Sequence, residues 1–227
     1  MLKKTKANDL SKPVMALLIA GFLTVFTSAY LLVEISEGIL ESEKFTLDQT
    51  VNQWVAAINT SRLSNVMGYI TYTGSVPWLT LGTFILTAYL FFKPEKTNWF
   101  ITFLLINMFG ISAITKGLKL LFQRGRPEEL AQYDGTGFSF PSGHTTGAVT
   151  LYGFLIYLVV RSHLNKKLKW LVSTSLVIWV LTVAISRIFV EVHYFTDIIA
   201  GLVIGLLWLL VCIGCLEMLL HKKVKKK

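Results

Sequence analysis

Charged residues are scarce in this chain of 227 residues. Asp, Glu, Lys and Arg make up 15% of it, whereas hydrophobic residues make up 53% and the mean hydropathy is +0.59. This composition excludes an ordinary soluble domain and is typical of an integral membrane protein. Cysteine is rarer still, because only Cys212 and Cys215 occur, as a CxxC pair inside an apolar run. They are better explained as small buried residues than as a redox or zinc site.

The basic residues do not form a nucleic-acid surface, although the formal net charge is +9. They occur in short clusters between apolar runs, which is the pattern of membrane topology signals. The sequence therefore predicts a membrane environment and no nucleic-acid partner, and it implies no obligate protein partner.

Six apolar runs are long enough to cross about 30 Å of hydrocarbon. They cover residues 14–33, 66–92, 98–122, 144–160, 170–189 and 197–220. No convincing cleavage site follows the first run, so we expect it to remain as a span. Gly74, Ser75 and Pro77 interrupt the second run and should kink it or shorten its start. The sequence predicts an all-α integral membrane protein with six transmembrane helices in a single domain over residues 1–227.

An acidic stretch between the first two spans carries a different helical pattern. Its apolar residues recur at helical spacing, at Leu47, Val51, Trp54, Val55 and Ile58. Thr46 and Gln49 fit a capping box at its start. We expect an amphipathic helix that lies in the membrane interface or packs over the bundle as a partial lid.

The distribution of charge predicts the orientation of the chain. Six spans place both termini on one side, together with the links at 93–96 and 161–169. Together with Glu217 near the end of the sixth span, these segments hold 15 basic and 3 acidic residues, whereas the rest of the chain holds 7 basic and 10 acidic residues. The positive-inside rule therefore predicts cytosolic termini in a multi-pass protein of the cell membrane.

Four of the seven basic residues on the other side lie near the ends of spans, at Lys119, Arg124, Arg126 and Arg187. At ~1.5 Å per residue, Lys119 lies ~32 Å up the third span and Arg187 ~27 Å up the fifth. Both therefore reach the extracytoplasmic interface. Snorkelling side chains would explain any one of these positions, but they explain the whole set poorly.

Two histidines reach the same interface. Pro141-Ser142-Gly143-His144 opens the fourth span, and His193 and Asp197 lie at the link into the sixth. The first turn of a helix offers unpaired N–H groups and the positive end of a dipole, which suit an anion. Alternatively, Ser142 simply caps its helix. Asp197 can accept a hydrogen bond from His193 Nδ1 or cap the sixth helix, and these two roles are compatible.

This inventory predicts phosphate chemistry. Lys119, Arg126 and Arg187 can bind phosphate oxygens, and Ser142 and the N–H groups around Gly143 add neutral donors. Two histidines allow one to attack phosphorus while the other moves a proton. The residues alone do not say which histidine attacks.

Three spaced motifs carry a resemblance to a known family. They are Lys119, six residues, Arg126-Pro127; Pro141-Ser142-Gly143-His144; and Ser186-Arg187, five residues, His193, three residues, Asp197. Together they resemble the signature of the type 2 phosphatidic acid phosphatase superfamily, which also includes vanadium haloperoxidases and bacterial acid phosphatases. The size and layout are most similar to bacterial phosphatidylglycerophosphate phosphatase B and undecaprenyl pyrophosphate phosphatases.

The resemblance implies a role for each matching residue. His193 would attack phosphorus and form a phosphohistidine, Asp197 would orient it, and His144 would protonate the leaving oxygen and then activate water. The phosphate would be held by Lys119, Arg126, Ser142, Gly143 and Arg187. The reaction would need no metal and no cofactor, in agreement with a site rich in cations.

The leading hypothesis is thus a membrane lipid phosphatase that works at the extracytoplasmic face. Its substrates would be phosphatidylglycerophosphate, undecaprenyl pyrophosphate, phosphatidic acid or diacylglycerol pyrophosphate. The alternative is a transporter that binds a phosphate or lipid without hydrolysis, but the polar residues cluster at one end and no repeat is visible. Vanadate-dependent halide oxidation on the same signature fits poorly with the long apolar spans.

Several residues keep two interpretations. Arg124 either helps to hold a second phosphate or has no such role, and Lys116 either extends the cationic patch deeper or simply snorkels. Four loop residues either shape a head-group pocket or are simply solvated: Glu128, Glu129, Tyr133 and Asp134. Gly201 and Gly205 form a GxxxG that should let the sixth helix pack closely.

Overall fold

The computed structural model describes residues 27, 30, 32–39, 45–92, 98–128 and 130–224, and its ordered elements there are helices, with no strand. They are α1 (residues 32–39), α2 (Thr46–Ile58), α3 (Ser61–Tyr72), α4 (Val76–Phe91), α5 (Asn98–Phe122), α6 (Gly143–Arg161), α7 (Lys166–Phe189) and α8 (Phe195–Val224). A short 3₁₀ helix lies at Ala131–Tyr133. The all-α class is confirmed.

Among the described residues, four helices are long and apolar enough to cross a membrane, namely α5, α6, α7 and the part of α8 up to Leu220. The pair α3 and α4 adds a fifth span if its two helices cross the membrane together. These correspond to the second to sixth predicted spans. The first, at 14–33, lies almost wholly outside the described residues, as do the link at 93–96 and the last three residues of the tail.

The expected break in the second span is confirmed, with a bend of 42° between α3 and α4. Pro77 lies in the first turn of α4, where its missing N–H costs no helical hydrogen bond. Gly74 lies in the break itself, and a Cβ there would lie 2.6 Å from Val183 and 3.3 Å from the His144 ring. The lack of a side chain at Gly74 therefore lets the break approach His144 closely.

Helix α6 lies at the centre and contacts α4, α5, α7 and α8. Its close contact with α8 depends on the predicted GxxxG. A Cβ on Gly201 would lie 3.0 Å from Thr145 Cβ, and one on Gly205 would lie 2.9 Å from Val149 Cβ. Farther along α8, Cys212 is buried in an apolar cluster that includes Phe154 and Leu216, and both cysteines are unpaired thiols.

A valine at Gly205 should destabilise the fold by about 1–3 kcal/mol, because Val149 Cβ and the Thr146 carbonyl cannot rotate away from it. Thermal melting in detergent measures the effect. Gly214→Val is the matched control on the same helix, since nothing lies within 4 Å of a Cβ there. Equal melting temperatures for the two variants would contradict close packing of α6 against α8.

Helix α2 forms where the amphipathic pattern predicted it, but one detail of the prediction is wrong. The capping box does not form, because Thr46 is already helical and Phe45 is the N-cap without a side-chain bond. The apolar residues of α2 do not all pack against the bundle. Trp54 is 69% exposed, whereas the side chains that α2 buries are Val55 and the acidic Asp48.

Candidate active site

The link between α7 and α8 holds His193 against Asp197. His193 is 2% exposed and Asp197 is fully buried. His193 Nδ1 lies 3.3 Å from Asp197 Oδ2, and the same oxygen accepts the Tyr194 N–H at 3.0 Å. Asp197 is the third residue of α8 and therefore not its N-cap, but its carboxylate accepts the N–H of the residue before the helix and also contacts the imidazole. The contact with His193 is therefore present, and the capping contact comes from the first turn of the helix.

The other ring nitrogen of His193 faces a guanidinium, with Nε2 3.2 Å from Arg126 Nη1. Arg126 also donates to four backbone carbonyls, those of Thr136, Gly137, Phe138 and Val192. Lys119 donates to the Phe138 carbonyl as well. The Phe138 carbonyl thus brings the two cations together, although Lys119 comes from α5 and Arg126 from the loop after it.

Arg187 is fully buried near the end of α7. Its Nη1 donates to Thr71 Oγ1 at 2.8 Å and its Nη2 to the Tyr133 carbonyl at 2.7 Å. Its Nε is also buried but has no hydrogen-bond partner. A buried donor without an acceptor is costly, so this atom is suited to an anionic ligand.

The start of α6 completes the cluster. Ser142 is the N-cap, and its Oγ accepts the Thr145 N–H at 3.4 Å and the Thr145 hydroxyl at 3.0 Å. Its own N–H donates to the Asp197 carbonyl at 3.1 Å, which joins α6 to α8 at the site. His144 is buried, and its Nε2 lies 3.7 Å from Asp134 Oδ2. The capping interpretation of Ser142 is confirmed, and the cap engages the Thr145 N–H but not those of Gly143 and His144, which remain to face a ligand.

The pKa of His193 lies well below its ordinary value. Burial of the ring is the largest cause, and the positive charges of Arg187, Arg126, Lys119 and Arg124 act in the same direction. An imidazole in this setting stays neutral, and the neutral form is the one that can act as a nucleophile.

This pKa predicts a measurable property of the unliganded protein. In ¹⁵N-histidine NMR spectra in detergent, His193 should be neutral at pH 6.5, where a free imidazole is about half protonated. Because the pKa is lowered, the neutral form should persist as the pH falls below that value. The His193 signal is assigned by its loss in His193→Gln. A ring that is at least half cationic at pH 6.5 would contradict the prediction.

Asp48 was not among the predicted site residues, and the structure decides between the two interpretations left open for Arg124 and for Lys116. Arg124 contacts the carboxylates of Asp48 and Asp197, so its guanidinium does not point to a second phosphate. Lys116 is exposed and does not extend the cationic patch. The available signal for Asp48 was an acidic residue on the inward-facing side of an amphipathic helix.

The loop residues with open roles are not equivalent. Tyr133 and Asp134 contact the site through Arg187 and His144. Glu128 donates its N–H to the Glu191 carbonyl, and Glu129 lies outside the described residues. Within the described part of the chain, no group of three or more His, Cys, Asp and Glu side chains could hold a metal ion.

Known proteins are similar to this chain over the segment that contains the candidate site. The model of the PAP2 superfamily matches residues 100–220, which contain all eight predicted site residues. Phosphatidylglycerophosphatase B of Bacillus subtilis (strain 168) is 32% identical over 163 residues, which cover 70% of this chain and 78% of that protein. Lipid A 4'-phosphatase of Porphyromonas gingivalis is 31% identical over 136 residues, which cover 53% of this chain and 54% of that protein.

A solved structure has the same fold. The crystal structure of a transmembrane PAP2-type phosphatidylglycerolphosphate phosphatase from Bacillus subtilis superposes with a TM-score of 0.74 at 25% identity. The superposition covers 86% of this chain and 96% of that one. The similarity therefore extends well beyond the segment that carries the motifs.

Proposed function

Because this chain belongs to the PAP2 superfamily, we propose that it is an integral membrane phosphatase of phosphorylated lipids. Its substrate is a phosphomonoester or pyrophosphate, and phosphatidylglycerophosphate and undecaprenyl pyrophosphate are the leading candidates. The observation that carries the proposal is the surroundings of His193, whose ring lies between the carboxylate of Asp197 and the guanidinium of Arg126. A neutral imidazole held in this way is aimed at an anion beside Arg126.

The proposed reaction has two steps. In the first, His193 Nε2 attacks the terminal phosphorus, the bond from that phosphorus to the leaving oxygen of the lipid or lipid phosphate breaks, and protonated His144 gives its proton to that oxygen. In the second, His144 takes a proton from water, the water oxygen attacks phosphorus, and the P–N bond breaks to release phosphate. Asp197 keeps the Nδ1 proton in place and stabilises the cationic ring of the intermediate.

The cations supply the electrostatic stabilisation. Lys119 and Arg126 converge on the Phe138 carbonyl, and the unpartnered Nε of Arg187 adds a donor. Together with Ser142 and the N–H of Gly143 they would hold the phosphoryl oxygens as charge redistributes in the transition state. Fixed donors of this kind do the work that a metal ion would do elsewhere, so we infer a metal-independent reaction without a cofactor.

We also infer the arrangement in the membrane. The chain forms one domain of six spans in the cell membrane, with cytosolic termini and an extracytoplasmic site. The charge distribution supports this, since the basic link at 161–169 lies at the opposite end of α6 from Ser142 and His144. In intact cells, an impermeant maleimide should label a cysteine introduced at Glu128 but not one at His163. Labelling in the reverse pattern would overturn the orientation.

Phosphate release from purified protein in detergent tests the function. With EDTA present, the protein should release phosphate from at least one of phosphatidylglycerophosphate, undecaprenyl pyrophosphate, phosphatidic acid and diacylglycerol pyrophosphate. The relative turnover identifies the preferred lipid. Binding of these lipids without any release would instead favour a transporter, and activity that EDTA removes would contradict the metal-independent reaction.

A further inference from the structure

Asp48 is a buried acid that the proposed reaction does not use. It lies on α2 and is 3% exposed. Its Oδ1 accepts the Thr196 N–H at 2.9 Å, and its Oδ2 accepts the Thr196 hydroxyl at 2.7 Å and Arg124 Nη2 at 2.7 Å. Every group that contacts the carboxyl is a donor, which is the environment of an ionised carboxylate.

Arg124 joins Asp48 to the carboxylate behind the nucleophile. Its Nη1 donates to Asp197 Oδ1 at 2.6 Å and to Thr196 Oγ1 at 2.8 Å. The guanidinium carbon lies 4.3 Å from the centre of the Tyr194 ring, which covers it. Burial disfavours the charge of Arg124, but Asp197 and Asp48 outweigh burial and raise its pKa, so it remains a cation.

The contacts therefore form a line from Asp48 through Arg124 and Asp197 to His193. Arg124 alone would neutralise Asp197 and weaken its hold on the imidazole. With Asp48 included, two carboxylates and one guanidinium carry a formal charge of −1. The ring of a phosphohistidine that keeps its Nδ1 proton carries +1, so the charges would balance when the intermediate forms.

We propose that Asp48 and Arg124 are positioning residues, and that Asp48 restores to the catalytic site the negative charge that Arg124 offsets. The proposal rests on the proposed function, because it concerns formation of the same phosphohistidine. It makes the interfacial helix α2 part of the catalytic apparatus, although Asp48 contacts neither the imidazole nor a substrate. It also explains why an acidic side chain of an amphipathic helix turns inward.

The test is the rate of His193 phosphorylation in a single turnover with phosphatidylglycerophosphate in detergent, or with the preferred lipid from the release assay. Asp48→Asn removes one charge with little change of shape, and the rate should fall about tenfold. KM should stay within about twofold, because the phosphate-binding cations are untouched. Glu37→Gln is the matched control, since it removes an acidic charge from an exposed position.

A double variant separates charge from packing. Asp48→Asn with Arg124→Gln returns the formal charge to −1, so its phosphorylation should be faster than that of Asp48→Asn alone. Asp48→Glu keeps the charge and should keep most of the rate, which also covers the case in which Asp48→Asn does not fold. Melting temperatures of all variants check the fold.

Two kinds of failure are distinguishable. A wild-type protein that forms no phosphoenzyme would overturn the proposed function. An active wild type with an equally fast Asp48→Asn variant would overturn only the role of Asp48. Asp48 would act through packing alone if the two substitutions of the double variant lowered the phosphorylation rate independently of each other. The same conclusion would follow if Asp48→Glu lowered that rate as much as Asp48→Asn does.

Discussion

Replacing His193 by alanine is expected to lower phosphate release by about 10⁴-fold or more, because the variant lacks the atom that we propose attacks phosphorus. In the wild type, the His193 ring lies between Asp197 and Arg126, and no other described side chain lies there to replace it as nucleophile. The lipid should still bind, since the cations remain. Phosphate release and lipid binding, measured on the same preparation, would show a lost kcat with a retained affinity.

The matched control is His163→Ala. His163 is exposed on the link between α6 and α7, at the end of α6 away from the site. This variant should hydrolyse lipid at the rate of the wild type. Substantial activity in His193→Ala would show that another group, or water itself, attacks the phosphorus.

Replacing His144 by alanine should affect the two steps differently. With a natural lipid, whose alkoxide is a poor leaving group, phosphorylation of His193 should slow by about 10²–10⁴-fold. With a lipid analogue that releases nitrophenol, the first step needs no acid and should proceed almost normally. The phosphoenzyme should then accumulate, because no base activates water for the second step. Quenched-flow measurement of the phosphoenzyme separates the two steps.

The comparison between the two leaving groups decides the role of His144. Asp134→Asn is a control variant, because it changes a side chain that lies 3.7 Å from His144 Nε2 but keeps the imidazole. Its two steps should have the same relative rates as those of the wild type. Equal losses with both leaving groups in His144→Ala would mean that the ring binds phosphate instead of moving protons.

The helices of the bundle were predictable because apolar runs and breaking residues act locally. The run at 98–122 gives α5 without a change of boundary. Helix α7 begins at Lys166, not at Trp170, because lysines are good helix formers and Asn165 caps the start by accepting the Leu168 N–H. Apolar content marks the stretch that spans a membrane, whereas capping decides where the helix begins.

The residues of the site were predictable where the sequence motifs contain residue types that suit phosphate chemistry. The motif spacing selected the eight residues from three segments, and their contacts join α5, α6, α7, α8 and the loop between α5 and α6. The pairing of Arg124 with Asp48 could not be predicted, because the two residues are 76 positions apart and only tertiary packing brings them together. The same packing outweighs the tendency of an amphipathic helix to expose its acidic residues.

Identification of the residue that carries phosphate tests the central claim most directly. The reaction is stopped within a single turnover at alkaline pH, where phosphohistidine survives, and the digested protein is examined by mass spectrometry. We predict one phosphorylated residue, His193, and no phosphorylated protein in His193→Ala. In His144→Ala, the amount of phosphorylated protein should increase when the nitrophenol-releasing analogue is the substrate. Steady turnover without a phosphorylated protein, or phosphate on a residue other than His193, would contradict the account.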